Sequence, residues 1–524
     1  MNRPPGLYAA ATVVLAMVWL GPHILHPLRV PDRGDPVFSA WRIARFGRQI
    51  TRDPRRLFDG NIFYPRRWTL AYSDATLLES AAGAPFLAAG AEPLLVANAL
   101  FLIAFPLCGL AFFYAGWRLT GDRAAALVTG VLGAWYPFHG EHYSHLELQW
   151  FMFVPLAFVA ALEVIAEPTW RKGIVLGGLV ALQSLASMYL GLMLACALGP
   201  LVLVRLAFSG VSRWRDRAAA LAVSVIVVAP VVVALAIPYE RARADHGDRS
   251  AAEIEQGSAV AGDYLSTSRR LTAYSWHERA ANRPERELFP GTSTVALAAV
   301  GVMAGPLDVV LPIGAAAAAA FDWSLGVHGA TYGALKTCVP PFRNVRVPAR
   351  FAVVFGSALI LLAARGVRSI LRRSGKARPV VLVAIAAGVL FDLRLTSLLV
   401  DYYPAVPSAY ERVGPDAVLA EFPLGHEIDG MYFSTTRWPN LLSGYSGFVP
   451  FDAALSADLA AFPEPAAIDR LRARGTTHIV YNCEFERSPE RCEFNGRQLA
   501  ANPALELISE ERWMDATVRL YRFR

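Results

Sequence analysis

The sequence predicts a polytopic α-helical membrane protein with a small C-terminal soluble α/β or α+β domain, and three observations lead there. Of 524 residues, 55% are apolar and only 18% charged, against about 25% charged in a soluble globular chain. Charge-free stretches of spanning length recur through residues 1–400. Beyond that point the texture changes to short apolar runs of strand length. The same figures exclude disorder, collagen, coiled coil and a small disulfide scaffold.

The spans follow from the gaps between charges, since a crossing needs about 20 mainly apolar residues. Between Arg3 and Arg29, and again between Glu92 and Arg118, lie 25 residues without a formal charge. The first is read as a retained anchor, because it lacks a small-residue cleavage site and is too long for a signal peptide. Shorter stretches run over Ala124–Gly140, Leu148–Leu162, Ala218–Tyr239 and Leu288–Leu307. Val309–Phe321, Phe351–Ala364 and Pro379–Phe391 are shorter still and need flanking residues to cross. Gly173–Val204, with 32 charge-free residues, reads as two helices broken near Gln183–Ser187. Counting it as two places fifteen basic residues of the short loops on one face, which the positive-inside rule makes cytoplasmic. The result is about eleven spans, N-terminus in and C-terminus out.

Three long segments then face outward: 28–82, 240–287 and the domain 401–524. In the last, Val418–Pro423, His478–Asn482 and Ala516–Phe523 read as strands, and Pro465–Arg474 as a helix feeding the second strand through Gly475. Cys483 and Cys492 flank a polar segment containing Pro489. An oxidising outer face favours a disulfide there, with two free thiols as the alternative. Of 50 basic residues only Lys172, Lys336 and Lys376 are lysines, and no nucleic-acid motif accompanies the arginines.

Polar residues at the mouths of spans are the informative ones, because they are costly there. Asp35, in Gly34-Asp35-Pro36 after the first span, reads as a turn residue or as a catalytic base whose partial burial raises its pKa. Asp74 reads as the N-cap of the helix after it, or as a second catalytic carboxylate. His139, Glu141, His142, His145 and Gln149 crowd one outward turn, where they would line a polar cavity for hydroxyls or phosphate. A divalent metal at His139–His145 is a further option, although no HExxH-type spacing is present. Arg343, Arg346 and Arg350 stand just before a span and suit either a donor phosphate or lipid head groups. No Ser-His-Asp elbow, P-loop or dinucleotide fingerprint occurs.

Laid out this way, the chain resembles the GT-C superfamily of membrane glycosyltransferases, including its bacterial multi-pass members. The resemblance rests on Gly34-Asp35-Pro36, the loop Asp59–Pro65, the turn His145–Gln149, the stretch RVPARF at Arg346–Phe351 and Gly475–Tyr481. Architecturally it covers about 1–400. It implies a polyprenyl-phosphate sugar donor, an essential acidic residue in the first outer loop, and inverting transfer on the outer face of the bacterial inner membrane. The acceptor would be an envelope glycan, a lipid or a protein. Many members carry adjacent acidic residues in that loop, whereas Pro36 follows Asp35 here, so Asp32 and Asp74 stand as alternatives for the base. A non-catalytic lipid or polysaccharide transporter, or a glycan-binding membrane protein, is the rival. Transporters show inverted repeats and mid-span charges, and this sequence shows neither clearly. Reporter fusions at Ser374 and Asn495 are expected to report opposite sides of the membrane; the same side for both would remove the outward site.

Overall fold

The structure, a computed structural model, describes residues 5–274, 285–403, 405–450 and 452–524. Arg3, which enters the orientation argument, and 275–284 of the second long loop lie outside the described residues. The helical part runs α1 (Pro5–Met17), α2 (Gly21–Leu25), α3 (Asp35–Arg52), α4 (Leu77–Ala88), α5 (Pro93–Thr120), α6 (Arg123–Ala134) and α7 (Pro137–Glu141). It continues through α8 (Phe153–Ala166), α9 (Trp170–Ala186), α10 (Met188–Ala207), α11 (Trp214–His246) and α12 (Ala251–Gln256). The last of it is α13 (Thr292–Ala304), α14 (Leu307–Ser324), α15 (Tyr332–Cys338), α16 (Ala352–Arg373) and α17 (Arg378–Asp392).

Among the described residues, six helical segments are long and apolar enough to cross a membrane: Pro93–Thr120, Leu146–Ala166, Met188–Ala207, Trp214–Asp245, Leu307–Ser324 and Pro348–Arg373. Gly6–Met17, Leu77–Ala88 and Thr292–Ala304 are shorter and apolar. The long stretch after Gly173 is two helices. Ser187 leaves the helical conformation between them, and its hydroxyl accepts from Leu190 N to start α10. Ala124–Gly140 is not one helix either, because the chain turns at Trp135 and restarts on Pro137 as α7. Close packing in the bundle relies on small residues. A Cβ on Gly301 of α13 would lie 1.9 Å from Leu362 O of α16, and one on Gly366 would lie 2.0 Å from Leu297 O.

The first outer loop is largely structured. Twelve of the eighteen residues of α3 are buried. Pro36 in its first turn sacrifices no hydrogen bond, because the first amides of a helix have no intrahelical partner. Gly34-Asp35-Pro36 is therefore a helix start rather than a free turn.

The C-terminal part contains β1 (Val418–Phe422), α18 (Glu427–Phe433), β2 (Asn440–Leu441), α19 (Ala453–Ala460), α20 (Pro465–Ala473), β3 (His478–Asn482), α21 (Pro489–Ala501), β4 (Leu505–Trp513) and β5 (Ala516–Phe523). The sheet order is β2-β1-β3-β5-β4, with β2, β1 and β3 parallel and β5 antiparallel to both neighbours. Strand alternation divides its faces. Ala420, Phe422, Ile479 and Tyr521 pack with Ile468 of α20 and Leu499 of α21, while Leu419, Val480 and Leu520 join the core of the helical part. Cys483 and Cys492 are joined, with Cα atoms 5.4 Å apart. The joined segment is not all loop, since α21 begins at Pro489 inside it.

Loop one fastens this domain. Tyr64 N donates to Leu441 O at 3.0 Å and Leu441 N to Asn61 O at 2.6 Å, extending the edge of β2. The buried Asn61 amide accepts from the Trp41 indole at 3.1 Å and donates to Ser434 Oγ and to Pro439 O at 2.7 Å. Asn61→Ala leaves these partners unsatisfied, at about 1–3 kcal/mol for such a loss. Denaturant unfolding of the detergent-solubilised protein is expected to show that destabilisation.

Candidate active site

The N-terminal half of α3 presents Asp35, Phe38, Ser39 and Arg42 on one face, at the i, i+3, i+4, i+7 spacing of a helix. That face forms one wall of a cleft of about 1200 Å³, part of it open to solvent. The opposite wall comes from Tyr189 of α10 and from Arg346 and Arg350 before α16. Tyr239 and Arg243 of α11 close one end, and Tyr445–Phe448 of the C-terminal part form a roof.

Asp35 is held from two sides. His145 Nε2 lies 3.1 Å from its Oδ2, and the Tyr445 hydroxyl donates to Oδ1 at 3.3 Å. Burial by itself would raise the pKa of this carboxyl. The hydrogen bond and charge of His145, with Arg42 and Tyr445 behind them, outweigh it and hold Asp35 below the ordinary aspartate range. This reverses the expectation of a raised value. Burial would likewise depress His145, but the hydrogen bond and charge of Asp35 lift it above the ordinary imidazole value. The two form a charged pair at the cleft wall.

Behind them sits Arg42, wholly buried, with Nη2 donating to Glu147 Oε2 at 2.6 Å and Nη1 to Asp74 O at 2.8 Å. Asp74 does not cap its own helix, which starts at Leu77 with no side-chain cap. It reaches α10 instead, accepting from Met188 N at 2.8 Å and from Ser187 Oγ at 2.5 Å. Both oxygens are occupied, and burial pushes its pKa up to about 6. Asp32 accepts from Gly34 N at 2.8 Å and from Ser144 Oγ, which ties the approach to α3 to the histidine turn.

Of the predicted residues of that turn, His145 lines the cleft, with Glu147 beside it, while His139, Glu141, His142 and Gln149 do not. His139 stacks between Phe105 and Phe151, with centroids 4.5 and 4.6 Å away, and its Nδ1 is 2.6 Å from Gln149 Oε1. His142 packs against Phe138 at 4.1 Å, and burial lowers the pKa of its ring. Gln149 Nε2 donates to His142 O at 2.5 Å and so stitches the turn. Glu141 lies outside the cleft, its carboxyl raised by burial and by Glu287. For the metal option at His139–His145, among the described residues no group of three His, Cys, Asp or Glu that could hold a metal ion is found.

The arginine trio also divides. Arg350 is buried in a two-pronged pair with Glu285, at 2.6 and 2.8 Å. Arg343 is exposed and outside the cleft. Arg346 precedes the turn Pro348–Phe351, so it shares no helix with Arg350. Its guanidinium lines the cleft with no hydrogen bond or ion pair to any described residue. Sequence reasoning missed Arg42, Tyr189, Tyr239, Arg243, Arg249 and Tyr445. For Arg42 a signal existed: it repeats Asp35 and Ser39 on the apolar face of an amphipathic helix.

No family model matches the chain, and no curated protein does. Among solved structures, ArnT from Cupriavidus metallidurans bound to undecaprenyl phosphate is similar, with a TM-score of 0.55 at 12% identity over 98% of this chain and 97% of that one. The Archaeoglobus fulgidus oligosaccharyltransferase tethered with an acceptor peptide aligns with a TM-score of 0.48 at 14% identity, over 91% of this chain and 69% of that one. The chain therefore has the fold of the GT-C membrane glycosyltransferases.

The Asp35–His145 pair sets a stability window. The contribution of Asp35 is full above its ordinary value of about 3.9 and is lost as pH falls through its lowered one. That of His145 is full below about 6.5 and is lost as pH rises through its raised one. Thermal unfolding against pH is expected to fall off on both limbs, with His145→Gln flattening the alkaline one.

Proposed function

We propose that this protein is an inverting glycosyltransferase that moves a sugar from a polyprenyl-phosphate donor to an envelope glycan, lipid or protein acceptor. The reading rests on a single observation. An ionised carboxylate, Asp35, and the guanidinium of Arg346, which pairs with none of the described residues, line one cleft in a GT-C fold. ArnT, which shares that fold, is bound to undecaprenyl phosphate in its structure.

The acceptor hydroxyl gives its proton to Asp35 as its oxygen attacks the anomeric carbon. The bond from that carbon to the phosphate oxygen breaks on the opposite side, and the lipid phosphate leaves as an anion. Arg346 faces the charge that develops on the leaving oxygen, where a positioned donor is most effective. Arg350, already neutralised by Glu285, shapes the wall rather than receiving the phosphate. Because Asp35 is held below the ordinary range, it is ionised throughout neutral pH and ready to accept. His145 keeps it oriented, and Tyr445 brings the C-terminal domain into the site. The basic residues of the short loops support a cytoplasmic N-terminus in the inner membrane, with the cleft and the 401–524 domain outside.

Asp35→Asn keeps size and helix start but removes the basic oxygen. Insertion and folding are expected to be normal, and transfer from an undecaprenyl-phosphate sugar in proteoliposomes to fall by at least ~10²-fold. Near-full activity in this variant would move the base elsewhere.

A further inference from the structure

The other end of α3 builds a second groove that sugar transfer does not use. It spans about 1170 Å³, part of it open to solvent, between the C-terminal half of α3, the loop 53–67 and Pro415, Trp438 and Asn440 of the C-terminal part. Six arginines line it against two aspartates, Asp53 and Asp59. Both carboxylates are already engaged: Asp59 accepts from Arg67 Nε and Trp68 N at 3.0 Å, and Asp53 lies 3.8 Å from Arg56. Arg45, Arg48 and Arg52 recur at i, i+3, i+7 on α3, and none has a carboxylate partner among the described residues. Arg45 reaches only the Asp59 carbonyl, at 3.1 Å, and Arg45 and Arg48 both lie over the Trp438 ring. Burial and the charge of Arg48 push Arg45 down to about 10, outweighing the opposing charges of Asp59 and Asp53.

Guanidinium groups held together without carboxylates are completed by carboxylate or phosphate oxygens. The spacing from Arg45 to Arg52 is about 10 Å along the helix axis, longer than one anion can bridge. Apart from the buried Ile62, the less polar residues of the lining are Tyr64, Pro65, Pro415 and Trp438, rings set among six arginines and suited to stacking on sugars. We infer that this groove is a binding site for an extended acidic polysaccharide, a chain bearing carboxylate or phosphate groups at successive sugars. On the reading above, that chain is part of the acceptor, a role that depends on the transferase reading. The groove's binding does not.

The full-length protein in a neutral detergent is titrated with polygalacturonate oligomers, with neutral dextran oligomers, with inorganic phosphate, and in nanodiscs of phosphatidylglycerol or phosphatidylcholine without polymer. Polygalacturonate is expected to bind, weakening as salt rises, while dextran does not bind and inorganic phosphate competes only weakly. Arg45→Gln/Arg48→Gln/Arg52→Gln is expected to weaken that binding by at least about tenfold, as lost charge-assisted contacts require. The exposed single variant Arg52→Gln, which cannot disturb the fold, should weaken it in the same direction. Asp35→Asn should bind polygalacturonate as the parent does, so loss of transfer and loss of groove binding are read apart. No polygalacturonate binding, or equal binding by the triple variant, overturns the inference. Binding of phosphatidylglycerol with none of polygalacturonate overturns it in favour of a lipid headgroup, and equal saturation by inorganic phosphate reduces it to a single-anion site.

Discussion

A guanidinium buried among helices must be neutralised, and Arg42 meets that demand through its two terminal nitrogens, its Nε having no hydrogen-bond partner among the described residues. Its partners are Glu147 at the start of a spanning segment, Ser39 on its own helix, and Ser73 and the Asp74 carbonyl in the loop after it. Removing one partner of a buried pair leaves an uncompensated charge, typically at a cost of about 3–5 kcal/mol. The pair therefore locks the rotation of α3. Asp35, two turns earlier on the same face, is aimed at the cleft as a consequence.

Asp74 extends the same framework by accepting from the first amide of α10, Met188 N, and from the Ser187 hydroxyl. A carboxylate there complements the positive end of the helix dipole. Tyr189, one residue beyond Met188, is placed in the cleft wall by that contact, and its hydroxyl donates to Asn344 O at 3.2 Å beside Arg346. Structural and site roles are thus divided between two carboxylates that look alike in the sequence. Both line the cleft, but Asp74 is buried against the start of α10, whereas Asp35, though held by His145 and Tyr445, keeps part of its side chain exposed.

The cleft also depends on the C-terminal domain. Asn61 and Tyr64 pair loop one to the edge of β2, Phe448 N donates to Tyr72 O at 3.0 Å, and Arg249 Nη2 holds Gly447 O at 2.6 Å. These contacts carry Tyr445 to Asp35. A helical part without this domain would have neither the roof of the cleft nor the Trp438 wall of the basic groove.

Composition and charge spacing determined the membrane class, most helix positions, the break before Met188 and three of the five strands, because burial in lipid or in a sheet face imposes local periodicity. Sequence also placed Asp35, His145, Arg346 and Arg350 near the outer ends of spans, and all four line the cleft. It did not show β4, whose polar alternation suits an edge strand, nor β2, only two residues long. What tertiary structure alone decided is the direction of each polar side chain. His139 and His142 turn into aromatic packing, Glu285 neutralises Arg350, and Arg346 is left open, since pairing partners lie tens to hundreds of residues away. The lowered pKa of Asp35 belongs to the same class: burial was foreseeable from position, but the His145 ring that overrides it is set by the packing of two distant segments.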